Sequence, residues 1–237
     1  HFRIEKYEIE NTLCFFGSAR TVSQEEAQQS LAEIEQTGNA QAIAKAKTAV
    51  KMSKFYDDAV EIARMFTQWS KDMGFDYYVV SGGGPGQMEA VNRGASLVPD
   101  SMNIGLNISL PFEQHPNPYI TDDLNFDFNY FFIRKFWFSF MAKAMVVFPG
   151  GFGTFDEMFE ILTLIQTKKM SKSLPIVIYG SEFWKKMVNF EYLVETGMIS
   201  QEDLDLFVFC DTPQEAFDHL APELERLWRL RRQGLKV

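Results

Sequence analysis

Histidine, cysteine and basic charge are all scarce in this 237-residue chain, and each shortage excludes something. The three histidines, His1, His115 and His219, share no spacing that would let them hold a metal. The two cysteines, Cys14 and Cys210, lie nearly a chain length apart, each inside an apolar run. They read as buried thiols of a reducing compartment rather than as a disulfide. Lys and Arg total 23 against 32 Asp and Glu, a formal charge of −9. That balance argues against a protein that reads a nucleic-acid backbone, although one locally basic pocket for a small anion stays compatible with it. No apolar run approaches the roughly 20 residues that span a bilayer. The start has no signal-peptide layout, and a cytoplasmic protein is expected. The chain begins with His1 rather than Met and reads as trimmed. The sequon Asn107-Ile108-Ser109 falls in a strand-like run and reads as accidental.

Aromatic residues are plentiful: 23 Phe, 8 Tyr and 4 Trp. Short apolar runs recur at 12–16, 77–80, 103–110, 144–148, 175–179 and 206–210, with a weaker alternating run at 124–130. They are near-continuous and rich in β-branched and aromatic residues, as in strands buried on both faces. Between them lie helical patterns. Residues 24–71 hold two helices broken near 37–39. In the second, Ala49, Met52, Phe55, Tyr56, Ala59, Ile62, Ala63 and Phe66 form one apolar stripe. Further helices are expected at 84–95 after a turn, and at 131–143, 154–169, 181–196 and 213–232. Strand followed by helix, repeated, predicts an α/β fold with a Rossmann-like doubly wound, mostly parallel sheet. No linker divides the chain, so residues 1–237 read as one domain with a helical addition at about 24–47, which is an extra layer or a dimer element.

Two turns carry the chemistry. "SGGGPGQME" (81–89) and "PGGFGTFDE" (149–157) each follow an apolar strand and open a helix. Glycines allow a ligand to approach the backbone, and a helix N-terminus offers unpaired N–H groups and the positive end of a dipole. Gly83 and Gly84 of the first turn, and Gly150, Gly151, Phe152, Gly153 and Thr154 of the second, are therefore candidates for holding a phosphate. Neither turn fits the dinucleotide fingerprint or ends in the Lys-Ser/Thr pair of a phosphate-loop NTPase. Ser18 and Arg20, after the first strand, could reach the same ligand from a third side.

Carboxylates and cations cluster nearby. Glu157 fits two readings: a ligand-facing carboxylate, or the far end of a capping box with Thr154 as N-cap. Asp156, one residue away, must point elsewhere. Arg134 and Lys135 lie in the aromatic segment 131–144, where Arg134 either holds an anion bidentately or is an ordinary surface residue, and Lys135 is a further candidate for binding the phosphorylated substrate. Glu89 could bond a ribose hydroxyl or simply favour the first helical turn. Asn92 and Arg93 read as surface residues. The basic end 226–236 could touch lipid or RNA but reads as an ordinary terminal helix. No zinc-ligand pattern and no nucleophile elbow is present.

With these residues in hand, the chain resembles the LOG family of nucleoside 5'-monophosphate phosphoribohydrolases, long mislabelled lysine decarboxylases. The family hallmark P-G-G-x-G-T-x-x-E is met by Pro149, Gly150, Gly151, Gly153, Thr154 and Glu157, with the Arg134-Lys135 pair upstream and the 81–95 motif beside it. The similarity spans about 11–215, and the extra 24–55 region resembles longer bacterial members. One departure is Ala142-Lys143-Ala144, where many members have A-D-A. The resemblance implies hydrolysis of the N-glycosidic bond of AMP or cytokinin ribotides, with Arg134 and Glu157 catalytic and residues 149–154 holding phosphate. It implies a homodimer or higher homo-oligomer whose site borrows from both subunits; with the charge, apolar runs and residue spacings above, no cofactor, no metal and no nucleic-acid or membrane partner is expected. Molybdenum-cofactor carrier proteins also resemble this fold, which leaves a non-catalytic protein that binds a nucleotide or phosphorylated pterin as the alternative.

Overall fold

A computed structural model gives the structure of the protein and describes residues 2–111 and 115–235. His1, part of the proline-rich loop at 112–114, and Lys236 of the basic end lie outside the described residues. Among the described residues seven strands form one sheet: β1 (Asn11–Phe16), β2 (Tyr77–Ser81), β3 (Asn103–Ile108), β4 (Asn125–Phe128), β5 (Ala142–Val147), β6 (Ile176–Tyr179) and β7 (Val208–Cys210). All neighbours run parallel, in the order β4-β3-β2-β1-β5-β6-β7. Leu13 of the central strand β1 registers with Val79 on one side and Ala144 on the other. The fold is Rossmann-like α/β. Chain order reverses between β1 and β5, and in such sheets the connections leaving the carboxyl ends of the two strands diverge and open a crevice.

The helices are α1 (Phe2–Lys6), α2 (Gln24–Glu35), α3 (Ala40–Met73), α4 (Gln87–Ser96), α5 (Phe131–Met141), α6 (Phe152–Gln166), α7 (Ser181–Met187), α8 (Phe190–Glu195) and α9 (Pro213–Arg232). They cover both faces, as the continuous apolar strands require. On one face Phe138 of α5, Met158 and Ile161 of α6 and Trp184 of α7 pack on the sheet. On the other, Ile62 and Phe66 of α3, Val91 of α4 and Leu224 of α9 do so. Among the described residues, no helix is long and apolar enough to cross a membrane.

The two helices expected within 24–71 are present. Their break has a local cause: Gly38 turns with φ +67°, and the Asn39 side chain caps α3 by accepting from the N–H groups of Gln41 and Ala42. The apolar stripe of α3 is buried only from Tyr56 onward. Ala49 is exposed, because the first turns of α3 pack on α2 rather than on the sheet.

β3 ends at Ile108 and β7 begins at Val208, each short of its apolar run, and three helical spans differ from the sequence reading. The helix expected at 131–143 ends at Met141, and Lys143 belongs to β5; the Lys172 ammonium takes the last carbonyls of α5, those of Ser139 and Phe140. The span 181–196 is two helices. Asn189 interrupts it, accepting the Tyr192 N–H at 2.9 Å as a new N-cap. The helix expected at 154–169 is shifted toward the N-terminus and occupies 152–166, with Lys168 beyond it at φ +56°. Cys14 and Cys210 are free and buried in β1 and β7, and burial pushes their thiols up to about 12 and about 11.

Candidate functional site

Three loops meet at the carboxyl ends of β1, β2 and β5. After β1, the Ser18 N–H donates to the Pro149 carbonyl at 3.1 Å, and the Ser18 carbonyl accepts from the Gln87 N–H at 2.9 Å. The first loop thus ties the other two together. Gly86 lies where the backbone of Ser18 and Ala19 passes closest. Its φ is +70°, and a Cβ there would meet the Ser18 carbonyl oxygen. Only glycine fits. Gln87, buried behind it, accepts from Thr21 Oγ1 at 3.1 Å and donates to the Phe55 carbonyl of α3.

The third loop is different in kind. A Cβ on Gly151 or Gly153 would meet nothing within 4 Å. Packing does not require glycine at either position, so the space is open to a ligand. Gly151 caps α6 without any side-chain bond. The N–H groups of Gly150, Gly151, Phe152 and Gly153 find no acceptor among the described residues, whereas the Thr154 N–H already donates to the Gly151 carbonyl at 3.0 Å. Four unpaired donors at the start of a 15-residue helix make an anion-receptive end. This geometry also overturns the capping-box reading. Thr154 is inside the helix rather than at its N-cap, so it does not pair with Glu157 in that way, and burial of both side chains has another cause.

Glu157 faces Arg134. The Nη2–Oε1 distance is 3.5 Å, and the two side chains are 14% and 5% exposed. Arg134 Nε and Glu157 Oε1 are buried with no hydrogen-bond partner. Two orphaned, complementary groups at one place mark a position for polar ligand atoms. Burial pushes the Glu157 carboxyl up to about 7, against the pull of the Arg134 charge. Burial likewise lowers Arg134 against the pull of Glu157. The Arg134 guanidinium lies 5.2 Å from the Phe131 ring centroid, and its Nη1 sits 4.0 Å from where a Cβ on Gly82 would be. Arg134 is therefore half enclosed by its own helix and reaches the first glycine loop, not the outer surface.

Lys135, its neighbour, turns away. Its ammonium bonds Asp156 at 2.8 Å and Glu160 at 2.5 Å. Burial works against the charge, but the two carboxylates outweigh it and raise the lysine above its ordinary value. With Phe152, Phe155 and Phe159 these groups line an open groove of about 480 Å³ on the outer side of α6. Lys135 and Asp156 are thus separated from the Arg134–Glu157 pair.

The remaining sequence candidates spread around the rim. Ser18 Oγ accepts the Arg20 N–H at 3.0 Å, and the Arg20 side chain is exposed. Glu89 accepts from Tyr56 Oη at 2.8 Å, so its carboxylate already has a partner from α3. Gly83, at φ +72°, lies against the Asn107 amide, and Gly84 is buried. Arg93 is exposed as expected. Asn92 is not: it is fully buried beneath the first glycine loop. The helical spacing of Asn92 with the buried Ala95 and Val91 face of α4 was the signal available for it. Asn117, from the loop beyond β3, meets it there and had no periodic signal at all.

Residues 88–220 match the family model described as "possible lysine decarboxylase". The chain belongs to this family. The match contains Arg134 and the whole 149–157 turn, and it bears out the LOG resemblance carried by those motifs. Comparison with curated proteins returns no match. Among solved structures, the chain is similar to TM1055, a Northeast Structural Genomics Consortium target, at 16% identity and TM-score 0.54, covering 90% of this chain and 99% of that one. It is also similar to the molybdenum cofactor binding protein from the phototrophic bacterium Rippkaea orientalis, at 12% identity and TM-score 0.53, covering 91% and 98%. Likeness at these identities speaks to the fold this possible-lysine-decarboxylase family member adopts, and to that alone.

Proposed function

We propose that the protein hydrolyses the N-glycosidic bond of nucleoside 5'-monophosphates, AMP or cytokinin ribotides, giving free base and ribose 5-phosphate. The observation that carries this reading is the buried Arg134–Glu157 pair, with its orphaned Nε and Oε1, beside the unpaired N–H donors that begin α6. The helix end suits the 5'-phosphate, which needs anchorage and no chemistry; that binding energy orients the sugar. As the C1'–N bond breaks, its electron pair leaves with the base and positive charge develops on the ribose. The Glu157 carboxylate stabilises that charge and takes a proton from the water that bonds C1', as in glycoside hydrolysis. The departing base takes a proton from solvent water, and Glu157 returns its proton to solvent, so that one water is added across the C1'–N bond. Arg134 balances the phosphate or holds the sugar, and keeps part of Glu157 ionised near neutral pH.

The residues do not fit the amino-acid decarboxylation in the family description. A pyridoxal Schiff base needs a lysine that can become neutral. Lys135 is held as an ammonium by two carboxylates. Burial lowers Lys143 and lowers Lys172 to about 8, but Lys143 lies at the start of β5 and Lys172 on the Ser139 and Phe140 carbonyls just before it, at the end of the strand opposite the crevice.

A homodimer belongs to the same proposal. Phe131, Phe132, Phe136, Phe140 and Phe152 are all exposed on α5 and the start of α6, Phe152 to 96%. An aromatic patch of this size is a surface that a second copy of the chain would cover. It borders the crevice, so the partner would help close the site.

The test is incubation with a panel of nucleoside monophosphates, with chromatography of the released base. Release of adenine from AMP, lost in Glu157→Ala, supports the reading. Tight binding of AMP with no base released sinks it in favour of a nucleotide or phosphorylated-pterin carrier.

A further inference from the structure

Beneath the first glycine loop lies a buried polar network that the proposed chemistry does not use. Its members are Ser81, Asn92, Asn103 and Asn117, all buried. Asn92 Oδ1 accepts from Ser81 Oγ at 2.7 Å and from Asn117 Nδ2 at 2.9 Å. Asn92 Nδ2 donates to Asn103 Oδ1 at 2.9 Å and to the Ile104 carbonyl at 3.2 Å. Asn103 Nδ2 donates to the Tyr119 carbonyl at 2.9 Å. The network therefore joins β2, β3, α4 and the strand-to-strand strap that carries Asn117.

Its output is the shape of the loop. The Asn117 N–H donates to the Gly83 carbonyl at 2.8 Å, and its Nδ2 reaches the carbonyls of Gly83 and Gly84, each at 3.1 Å. Both carbonyls, the groups that would repel an anion, are thus drawn toward the strap. In a trans peptide the N–H points opposite the carbonyl, so the Gly84 N–H is turned to the other side. It finds no acceptor among the described residues. Gly83 N–H is tied back to Ser81 Oγ at 3.0 Å. Asn117 itself stands between Pro116 and Pro118. Pro118 biases it to an extended backbone, so little freedom is lost in holding it there.

We propose that Asn117 is a positioning residue that holds the 81–86 loop in the arrangement that receives the phosphorylated sugar. The inference rests on the nucleotide-site reading above, and its test keeps the two apart. Asn117→Asp keeps the shape and replaces a donor by a carboxylate facing three acceptor oxygens; Asn117→Ser keeps one donor. The readouts are ribose 5-phosphate binding by calorimetry, which needs no turnover, and KM against kcat for AMP. Loss of the two Nδ2 hydrogen bonds to the loop carbonyls, together with the one to Asn92, predicts at least about tenfold weaker ribose 5-phosphate binding in the Asp variant, a matching rise in KM and a kcat within a few-fold of wild type. The Ser variant falls between, and it carries the test should the Asp variant not fold. A lower Tm with unchanged ribose 5-phosphate affinity would assign Asn117 to stability alone and overturn the proposal. Wild-type protein that binds ribose 5-phosphate but releases no adenine defeats the hydrolase reading while the Asn117 comparison stands. Wild-type protein that does not bind ribose 5-phosphate overturns both.

Discussion

Replacing Glu157 by Gln should stabilise the protein at alkaline pH relative to acidic pH. The carboxyl has an ordinary value near 4.5 and is pushed by burial up to about 7 in the folded chain. Between those two values the native state binds more protons than the unfolded state, so stability falls as pH rises. The destabilising contribution is absent below 4.5 and fully present above about 7. A displacement from 4.5 to about 7 corresponds to about 3 kcal/mol between the protonation states. Gln cannot ionise and resembles the protonated acid, so Glu157→Gln should gain about 3 kcal/mol on wild type between pH 4.5 and pH 8, whatever the offset at acid pH. For a chain of this size that is about 6–12 °C in the Tm difference. The assay is thermal or denaturant unfolding of both proteins across that range, without phosphate, which would occupy the site. A Tm difference that stays constant from pH 4.5 to pH 8 would refute the reasoning, because Glu157 would then titrate alike in folded and unfolded chains. The same shift sets the expectation for activity. If ionised Glu157 is the working form, kcat/KM should rise with pH and level off above about 7, and a profile that falls across this range would assign it the opposite role.

The remaining predictions probe the neighbouring parts. Glu157→Ala should lower kcat for AMP hydrolysis about 10²- to 10⁴-fold with far-UV circular dichroism unchanged, since the loss is chemical. Gly86→Ala should cost about 1–3 kcal/mol in urea unfolding, because it forces a strained φ against the Ser18 carbonyl. Gly153→Ala meets open space, so it should fold normally and show its effect in weaker ribose 5-phosphate binding; equal Tm losses for the two glycine variants would contradict the packing difference. If the proposed homodimer forms through the exposed aromatic face, wild type should be a dimer by light scattering and Phe132→Asp with Phe136→Asp, which places charge there, a monomer; a wild-type monomer would refute it.

Most of the fold was legible because both helix layers and the strands follow apolar periodicity, and the strand-to-helix glycine turns punctuate it. The misread boundaries lie where a polar side chain competes with the helical backbone. Asn189 caps a new helix inside an amphipathic run, and Lys172, distant in sequence, takes the last carbonyls of α5. Periodicity is blind to both. The site was legible to a different degree at each residue. Arg134 and Glu157 stand in short motifs, and the structure brings them within 3.5 Å. Thr154 illustrates the opposite case: a three-residue spacing to Glu157 matches a capping box, but the helix starts at Phe152, so the same spacing places both side chains inside it and buried. Asn92 and Asn117 are polar residues whose burial depends on each other across 25 positions. A buried amide is stable only when its partners are present, so neither could be read as buried without the other. On the proposed reading, that dependence is how an acidic chain would build an anion site. The attraction comes less from net cationic charge than from backbone groups held in register: N–H groups left unpaired at the start of α6, and loop carbonyls turned away by Asn117. Among the described residues the buried cation at the crevice, Arg134, is already paired with Glu157, so a bound phosphate and the carboxylate would compete for it. Binding of the substrate dianion should therefore raise the carboxyl of Glu157 further, coupling occupancy of the helix end to the protonation of the group proposed to act at C1'.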